Sequence, residues 1–229
     1  MTKQQGQIDD NPQSKLIRIP LSEALGIKKG VNAIIGSGGK SSLLKSLSLE
    51  LSQKGSVLLT TSTHILPFSH CENICFSEEE ALENSKTLLQ SKVLSLWDKS
   101  QNPILCLGTL EKTGKLSPFP LPFSAIEQMA DFVLVEADGS KHLPAKAHNE
   151  REPQLPKETK LSVLVFGLSA LHKPIEEVVL PVERSGKVGI SLLGVETSDG
   201  GRHRTALRVE RFFGHAVDDA ARCCIAEER

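Results

Sequence analysis

Tyrosine is absent from this chain, and one tryptophan and eight phenylalanines are its only aromatic residues besides histidine. A surface that reads nucleic acid by stacking bases needs exposed rings, so that class is poorly supplied. No charge of either sign is in excess. The 27 Lys and Arg against 28 Asp and Glu leave a formal net charge of -1, without the basic footprint of a nucleic-acid binder. Apolar runs are short, well below the roughly 20 residues of a spanning helix, which argues against a membrane protein. The five cysteines are odd in number and irregular in spacing, unlike a disulfide framework. Residues 1–14 are polar, lack the apolar core of a signal peptide, and read as a flexible tail. The expected compartment is the cytoplasm.

What is present is aliphatic. Short apolar runs alternate with helical patterns, as a parallel sheet covered on both faces requires. The strand candidates are LIRI from Leu16, VNAIIG from Val31, SVLLTT over Ser56–Thr61, PILCLG over Pro103–Gly108, DFVLVEA over Asp131–Ala137 and LSVLVF over Leu161–Phe166. A brief helix is expected to end at Gly30. A second runs over Ser41–Lys54, with Leu43, Leu44, Leu47 and Leu51 on one face and Gly55 as a left-handed cap. A long helix opens at Ser77, where Ser77 and Glu80 form a capping-box pattern. Leu82, Leu88, Leu89, Val93, Leu96 and Trp97 give it a face to bury. Gly114–Pro122 reads as a loop, and Ser124 with Glu127 starts a short helix. The fold class is α/β, a mostly parallel sheet with helices on both faces.

Between the second of these strands and the helix that follows stands Gly36-Ser37-Gly38-Gly39-Lys40-Ser41-Ser42. Glycines let backbone N–H groups approach phosphate oxygens without a Cβ in the way. The helix start adds unpaired donors and the positive end of its dipole. Lys40 would reach the β- and γ-phosphates, and the Ser41 hydroxyl would bind Mg²⁺. The pattern G-x-x-G-K-S-S is two residues shorter than the usual phosphate loop. It resembles the shortened loop of the Mur ligases and folylpolyglutamate synthetases, which bind ATP. A P-loop NTPase-like domain binding ATP or GTP with magnesium is therefore expected.

The carboxyl ends of the other strands add candidates. Glu136 and Asp138 would face the same crevice, where a carboxylate can hold Mg²⁺ or orient an attacking group. These are the candidate catalytic residues, with Asp138 and Ser41 toward the metal. The alternative is a turn at Asp138-Gly139 with Glu136 paired structurally. Thr60-Thr61-Ser62-Thr63-His64 either lines the site, Thr61 contacting nucleotide, or merely ends a strand. Cys71 and Cys75 have a C-x3-C spacing but no second pair, so a buried apolar role competes with zinc.

The segments GSGGKSSLLKSL, VLLTTSTHI, DFVLVEADGSKHLPAKAHNEREPQLP and LSVLVFGLSALHKP occur in that order. Together they resemble the selenium-dependent molybdenum hydroxylase accessory protein family, YqeC, over roughly Gly30 to Pro174. The resemblance implies a role in maturing such a hydroxylase, with the enzyme or its molybdenum cofactor as partner. It carries Gly36, Gly38, Gly39, Lys40 and Ser41 over as nucleotide residues, and matches Glu136, Asp138, Lys146, Glu152 and Pro153 in the middle segment. Lys146 would neutralise phosphate, whereas Lys141 and Arg151 read as solvated. Two other readings stay open: a nucleotide-switched chaperone or binding protein without catalysis, and a small-molecule kinase or ligase. Beyond Glu183 the composition switches, with seven of nine arginines and one of 18 lysines. The expected organisation is a tail at 1–14, a nucleotide-binding domain at 15–182 and a separate segment at 183–229.

Overall fold

The computed structural model describes residues 19–83, 86–99, 103–139, 153–167 and 169. It also describes the backbone of strands at 145–146, 179–180, 192–199, 202–209, 211–212, 215–216 and 221–226. The expected tail and the first three residues of LIRI lie outside the described residues.

The chain opens with helix α1 (Leu21–Leu25), then strand β1 (Gly30–Gly36), α2 (Lys40–Leu51), β2 (Val57–Thr61) and β3 (Glu72–Ser77). There follow α3 (Glu78–Glu83), α4 (Lys86–Lys99), β4 (Ile104–Leu110), β5 (Leu116–Ser117) and α5 (Phe123–Ile126), which runs into a 3-10 turn at Glu127–Met129. Next come β6 (Phe132–Glu136), β7 (Ala145–Lys146), β8 (Leu161–Gly167) and β9 (Val179–Leu180). The last strands are β10 (Leu192–Asp199), β11 (Arg202–Val209), β12 (Arg211–Phe212), β13 (His215–Ala216) and β14 (Ala221–Ala226).

The main sheet runs β10-β11-β14-β8-β1-β6-β2-β4-β3, with β5 paired to β4. From β14 to β3 every neighbour is parallel, and only the β10–β11, β11–β14 and β4–β5 pairs are antiparallel. The α/β class expected from the alternating pattern is the class observed. Strands of the 183–229 segment continue this sheet beyond β8.

Alternate residues of the central strands serve two apolar layers. On one face Ile34, Val57, Leu59, Phe132 and Leu134 meet Leu43, Leu44, Leu47 and Leu51 of α2. On the other, Val31, Leu58, Leu105, Val133 and Val135 meet Leu89 and Val93 of α4. Burying each such side chain contributes roughly 1.5–3 kcal/mol, which is how aliphatic residues replace the missing aromatics.

Several local expectations are corrected. The first helix ends at Leu25, not Gly30, because Gly26 takes the left-handed cap at φ 69°. Gly55 is not among the positive-φ glycines. A Cβ there would meet Asp131 Oδ2 at 2.5 Å, so this glycine serves a close approach. The Ser77–Glu80 capping box forms, with Glu80 N–H donating to Ser77 Oγ at 3.1 Å and Ser77 N–H to Glu80 Oε2 at 3.0 Å. The helix it opens is α3 (Glu78–Glu83); α4 begins at Lys86, and residues 84 and 85 between them lie outside the described residues. Of the expected buried face, Leu89 and Val93 are buried, Trp97 is half-buried, and Leu82, Leu88 and Leu96 are exposed. The expected 114–122 loop contains β5. The helix near 124 starts at Phe123 after Pro122 and carries no side-chain cap from Ser124.

Candidate functional site

β1 is a buried strand that stops where glycine is unavoidable. Gly36 sits at φ 95°, and a Cβ on it would overlap the carbonyl oxygen of Val165 on β8. Its neighbour Ser37 is buried and donates its N–H to that same oxygen at 2.9 Å. The chain then turns through Gly38 at φ 77° and Gly39 at φ 108°, conformations that L side chains adopt at a cost. Gly39 is the N-cap of α2, and no side chain caps that end. The first-turn N–H groups of an α-helix have no partner within the helix. Ser41 and Ser42 are exposed on that first turn.

Lys40, the first residue of α2, folds back into the protein and is 3% exposed. Its Nζ donates to the Gly36 carbonyl oxygen at 2.7 Å and lies 2.8 Å from Asp138 Oδ1 and 3.7 Å from Glu136 Oε1. Asp138 is fully buried, and its Oδ2 accepts the Gly36 N–H at 2.7 Å. Lys40, Glu136 and Asp138 therefore meet, as their strand ends led one to expect. Two buried carboxyl groups share one buried ammonium. Burial pushes the Glu136 carboxyl up to about 7, with Lys40 opposing the rise and Asp138 adding to it.

The topology explains the meeting. The connection leaving β1 passes β6 to reach β2, whereas that leaving β6 passes β1 to reach β8. The chain parts in opposite directions at the carboxyl ends of β1 and β6, where open α/β sheets form ligand crevices.

The remaining candidates fall into place unevenly. Thr61 is buried, and its Oγ1 donates to the Glu136 carbonyl oxygen at 2.9 Å while accepting the Thr63 N–H at 2.9 Å. It ties β2 to β6. Thr60 does the same toward β4, donating to the Leu107 carbonyl oxygen at 3.0 Å. His64 is more than half exposed, and its Nε2 lies 3.0 Å from Glu111 Oε1. Glu111 was not legible as a partner, since it stands in the β4–β5 hairpin with no motif around it. The backbone of Lys146 forms β7, opposite Leu180 of β9. Its side chain lies outside the described residues, as do Lys141, Arg151 and Glu152. Cys71 and Cys75 find no metal set: among the described residues no group of three or more His, Cys, Asp or Glu could hold an ion. Burial pushes the Cys71 thiol up to about 11, as suits an apolar role. No helix among the described residues is long and apolar enough to cross a membrane.

Comparison with known proteins places this site in a family. The family model described as YqeC protein matches residues 32–183, which include the glycine loop and the β6 carboxylates. An Escherichia coli (strain K12) relative, "Uncharacterized protein YqeC", is 34% identical over 144 residues, covering 60% of this chain and 51% of the relative. The chain thus spans about half the length of the curated relative it matches. No solved structure matches it. By the extent of the family match, the chain belongs to the YqeC family.

Proposed function

We propose that this protein binds a nucleoside triphosphate, ATP or GTP, with magnesium at Gly36–Ser42, as a P-loop NTPase-like domain. We further propose that it serves as an accessory factor in maturing a selenium-dependent molybdenum hydroxylase. The observation that carries the nucleotide reading is the β1–α2 junction. An uncapped 12-residue helix starts after two left-handed glycines, at the switch point of the sheet, beside a buried lysine. That arrangement supplies backbone donors, a dipole and a nearby cation to an anion. The accessory role rests on the family resemblance of the loop, TTSTH and EADGS segments.

The donor set suits magnesium, a hard cation that prefers oxygen ligands. Ser41 offers an exposed hydroxyl, and Glu136 and Asp138 offer carboxyl oxygens beside Lys40. Magnesium, when bound, would neutralise phosphate charge. Lys40 would leave Asp138 for the phosphates. Glu136 and Asp138 would then orient an attacking group or a metal-bound water. Lys146 would add a further cation.

One observation favours the switched, non-catalytic alternative. Lys40 is already engaged by Gly36 and Asp138, so nucleotide binding must exchange one set of contacts for another. Such an exchange is what a nucleotide switch uses. Calorimetry with Mg-ATP and Mg-GTP tests the binding: saturable binding that Lys40→Ala weakens at least about tenfold is expected, and equal affinity in the folded variant overturns it. Single-turnover hydrolysis separates enzyme from switch.

A further inference from the structure

β1 and β6 separate at the site, and their hydrogen bonds show what enters between them. The two strands are paired as far as Ile34 and Glu136, and the Ala137 N–H donates to the Ile34 carbonyl oxygen at 3.0 Å. In a parallel ladder continued in that register, the Gly36 N–H would next donate to the Ala137 carbonyl oxygen. It does not. The Gly36 N–H donates to Asp138 Oδ2 at 2.7 Å, and the Ala137 oxygen accepts from the Gln154 N–H at 2.9 Å. The backbone at Gln154 therefore takes the place of β1 on the residue that stands between Glu136 and Asp138.

The stretch that carries Gln154 is anchored. Pro153 and Pro156 fix their own φ on either side of it, and Pro156 is buried. The Pro156 carbonyl oxygen accepts from Thr159 twice, from its N–H at 3.1 Å and from its Oγ1 at 2.7 Å. The Lys160 N–H then donates to the Val31 carbonyl oxygen at 2.8 Å. One end is thus held at the carboxyl end of β6 and the other at the amino end of β1. The Gln154 side chain, by contrast, is exposed. Its carboxamide is a flexible arm on a fixed base beside the crevice. A carboxamide both donates and accepts, as holding a water molecule requires. A triphosphate whose terminal phosphate meets Lys40 comes to lie at Asp138, the residue after the Ala137 carbonyl that Gln154 holds.

We propose that the Gln154 carboxamide orients the water that attacks the terminal phosphate of the bound nucleotide. This rests on the nucleotide reading above. The water oxygen bonds to the terminal phosphorus, and the bond from that phosphorus to the bridging oxygen breaks. Nucleoside diphosphate and inorganic phosphate leave, and the surplus proton passes to solvent. Enzymes catalyse phosphoryl transfer mainly by positioning and by stabilising charge, so a neutral carboxamide suits the task.

The test joins calorimetry to single-turnover hydrolysis of the magnesium complexes of ATP and GTP, on wild-type protein and Gln154→Ala, with thermal melts of both. The expected result is hydrolysis at least about tenfold slower in the variant, with triphosphate affinity within about twofold. The melting temperature should be unchanged, because the backbone bond to Ala137 stays. Equal rates overturn the assignment. So does a loss of affinity that matches the loss of rate, or a lowered melting temperature, since each marks a residue that only shapes the crevice. Wild-type protein that binds a triphosphate without hydrolysing it also overturns this role, and leaves the nucleotide reading standing. Wild-type protein that binds neither triphosphate overturns the nucleotide reading itself.

Discussion

Lys40 Nζ and Asp138 Oδ1 stand 2.8 Å apart in a pocket that leaves Lys40 3% and Asp138 0% exposed. Asp138 also holds Gly36 through its other oxygen, so the loop's two ends and the end of β6 form one bonded unit. Breaking one partner of a buried ion pair leaves the other charge uncompensated, at a cost of about 3–5 kcal/mol. Lys40→Met, close in length and apolar, is expected to lose most of that in chemical denaturation near pH 8. Adding Asp138→Asn, whose amide oxygen can still accept from Gly36, should restore much of the stability but none of the nucleotide binding. Equal stability of Lys40→Met and wild type would show that the pair contributes nothing.

The same pocket makes stability depend on pH. The Glu136 carboxyl, pushed up to about 7 by burial, is favoured in its protonated form when folded. Its contribution is therefore full below the ordinary carboxylate value of 4.5 and is lost as pH rises toward about 7. Asp131 acts in the opposite direction. Lys29 and Ser56 hold it near 2, so its contribution is present above 3.8 and lost below. Between pH 4.5 and 8, wild type should lose roughly 1–3 kcal/mol that Glu136→Gln does not lose. Parallel curves for the two proteins, by urea unfolding, would remove the assignment.

Gly36 and Gly114 offer a matched comparison. Both have positive φ, but a Cβ on Gly36 runs into β8 whereas one on Gly114 has nothing within 4 Å. Gly114→Ala should cost only its left-handed backbone, roughly 1–2 kcal/mol. Gly36→Ala adds a backbone collision that only separation of β1 from β8 can relieve, so it should cost several kcal/mol more or fail to fold. Melting temperatures of the two variants decide it, and equal losses would contradict the packing argument.

That comparison shows where a sequence can and cannot be read. The strands β1, β2, β4, β6 and β8 were legible because each is buried on both faces and so reads as a continuous apolar run. The edge strand β3 was not. Glu72, Cys75 and Ser77 point to water, and six residues with alternating exposure gave a weak signal. The convergence of Lys40, Glu136 and Asp138 followed from the rule that strand ends share a crevice. The finer roles did not. Gly36 looks like a phosphate glycine, yet the collision that demands it involves Val165 on β8, far along the chain. The Thr61 hydroxyl reads in the sequence as a candidate phosphate donor, and only its hydrogen bond to the Glu136 carbonyl oxygen shows that it ties β2 to β6.

The last prediction concerns the segment that the compositional switch sets apart. β14 pairs in parallel with β8 from Ala221↔Ser162 to Ala226↔Gly167, and β11 and β10 extend the sheet beyond it. Removing Ser185–Arg229 therefore turns β8, with Val163, Leu164 and Val165, into an edge strand. Exposed apolar edges pair with other chains, so the fragment should melt lower and self-associate more than the full chain. The crevice lies on the other side of β8, between β1 and β6. Its contacts to β8 include the approach of Gly36 and the hydrogen bond from Ser37 to Val165, both made by backbone that the deletion leaves in place. Nucleotide affinity should therefore stay within a few-fold while stability falls, as measured by calorimetry and sedimentation on the same preparation. A folded, monomeric fragment that loses binding more than about tenfold would show that β14 is needed to hold β8 against the loop. The C-terminal strands would then belong to the site as well as to the sheet.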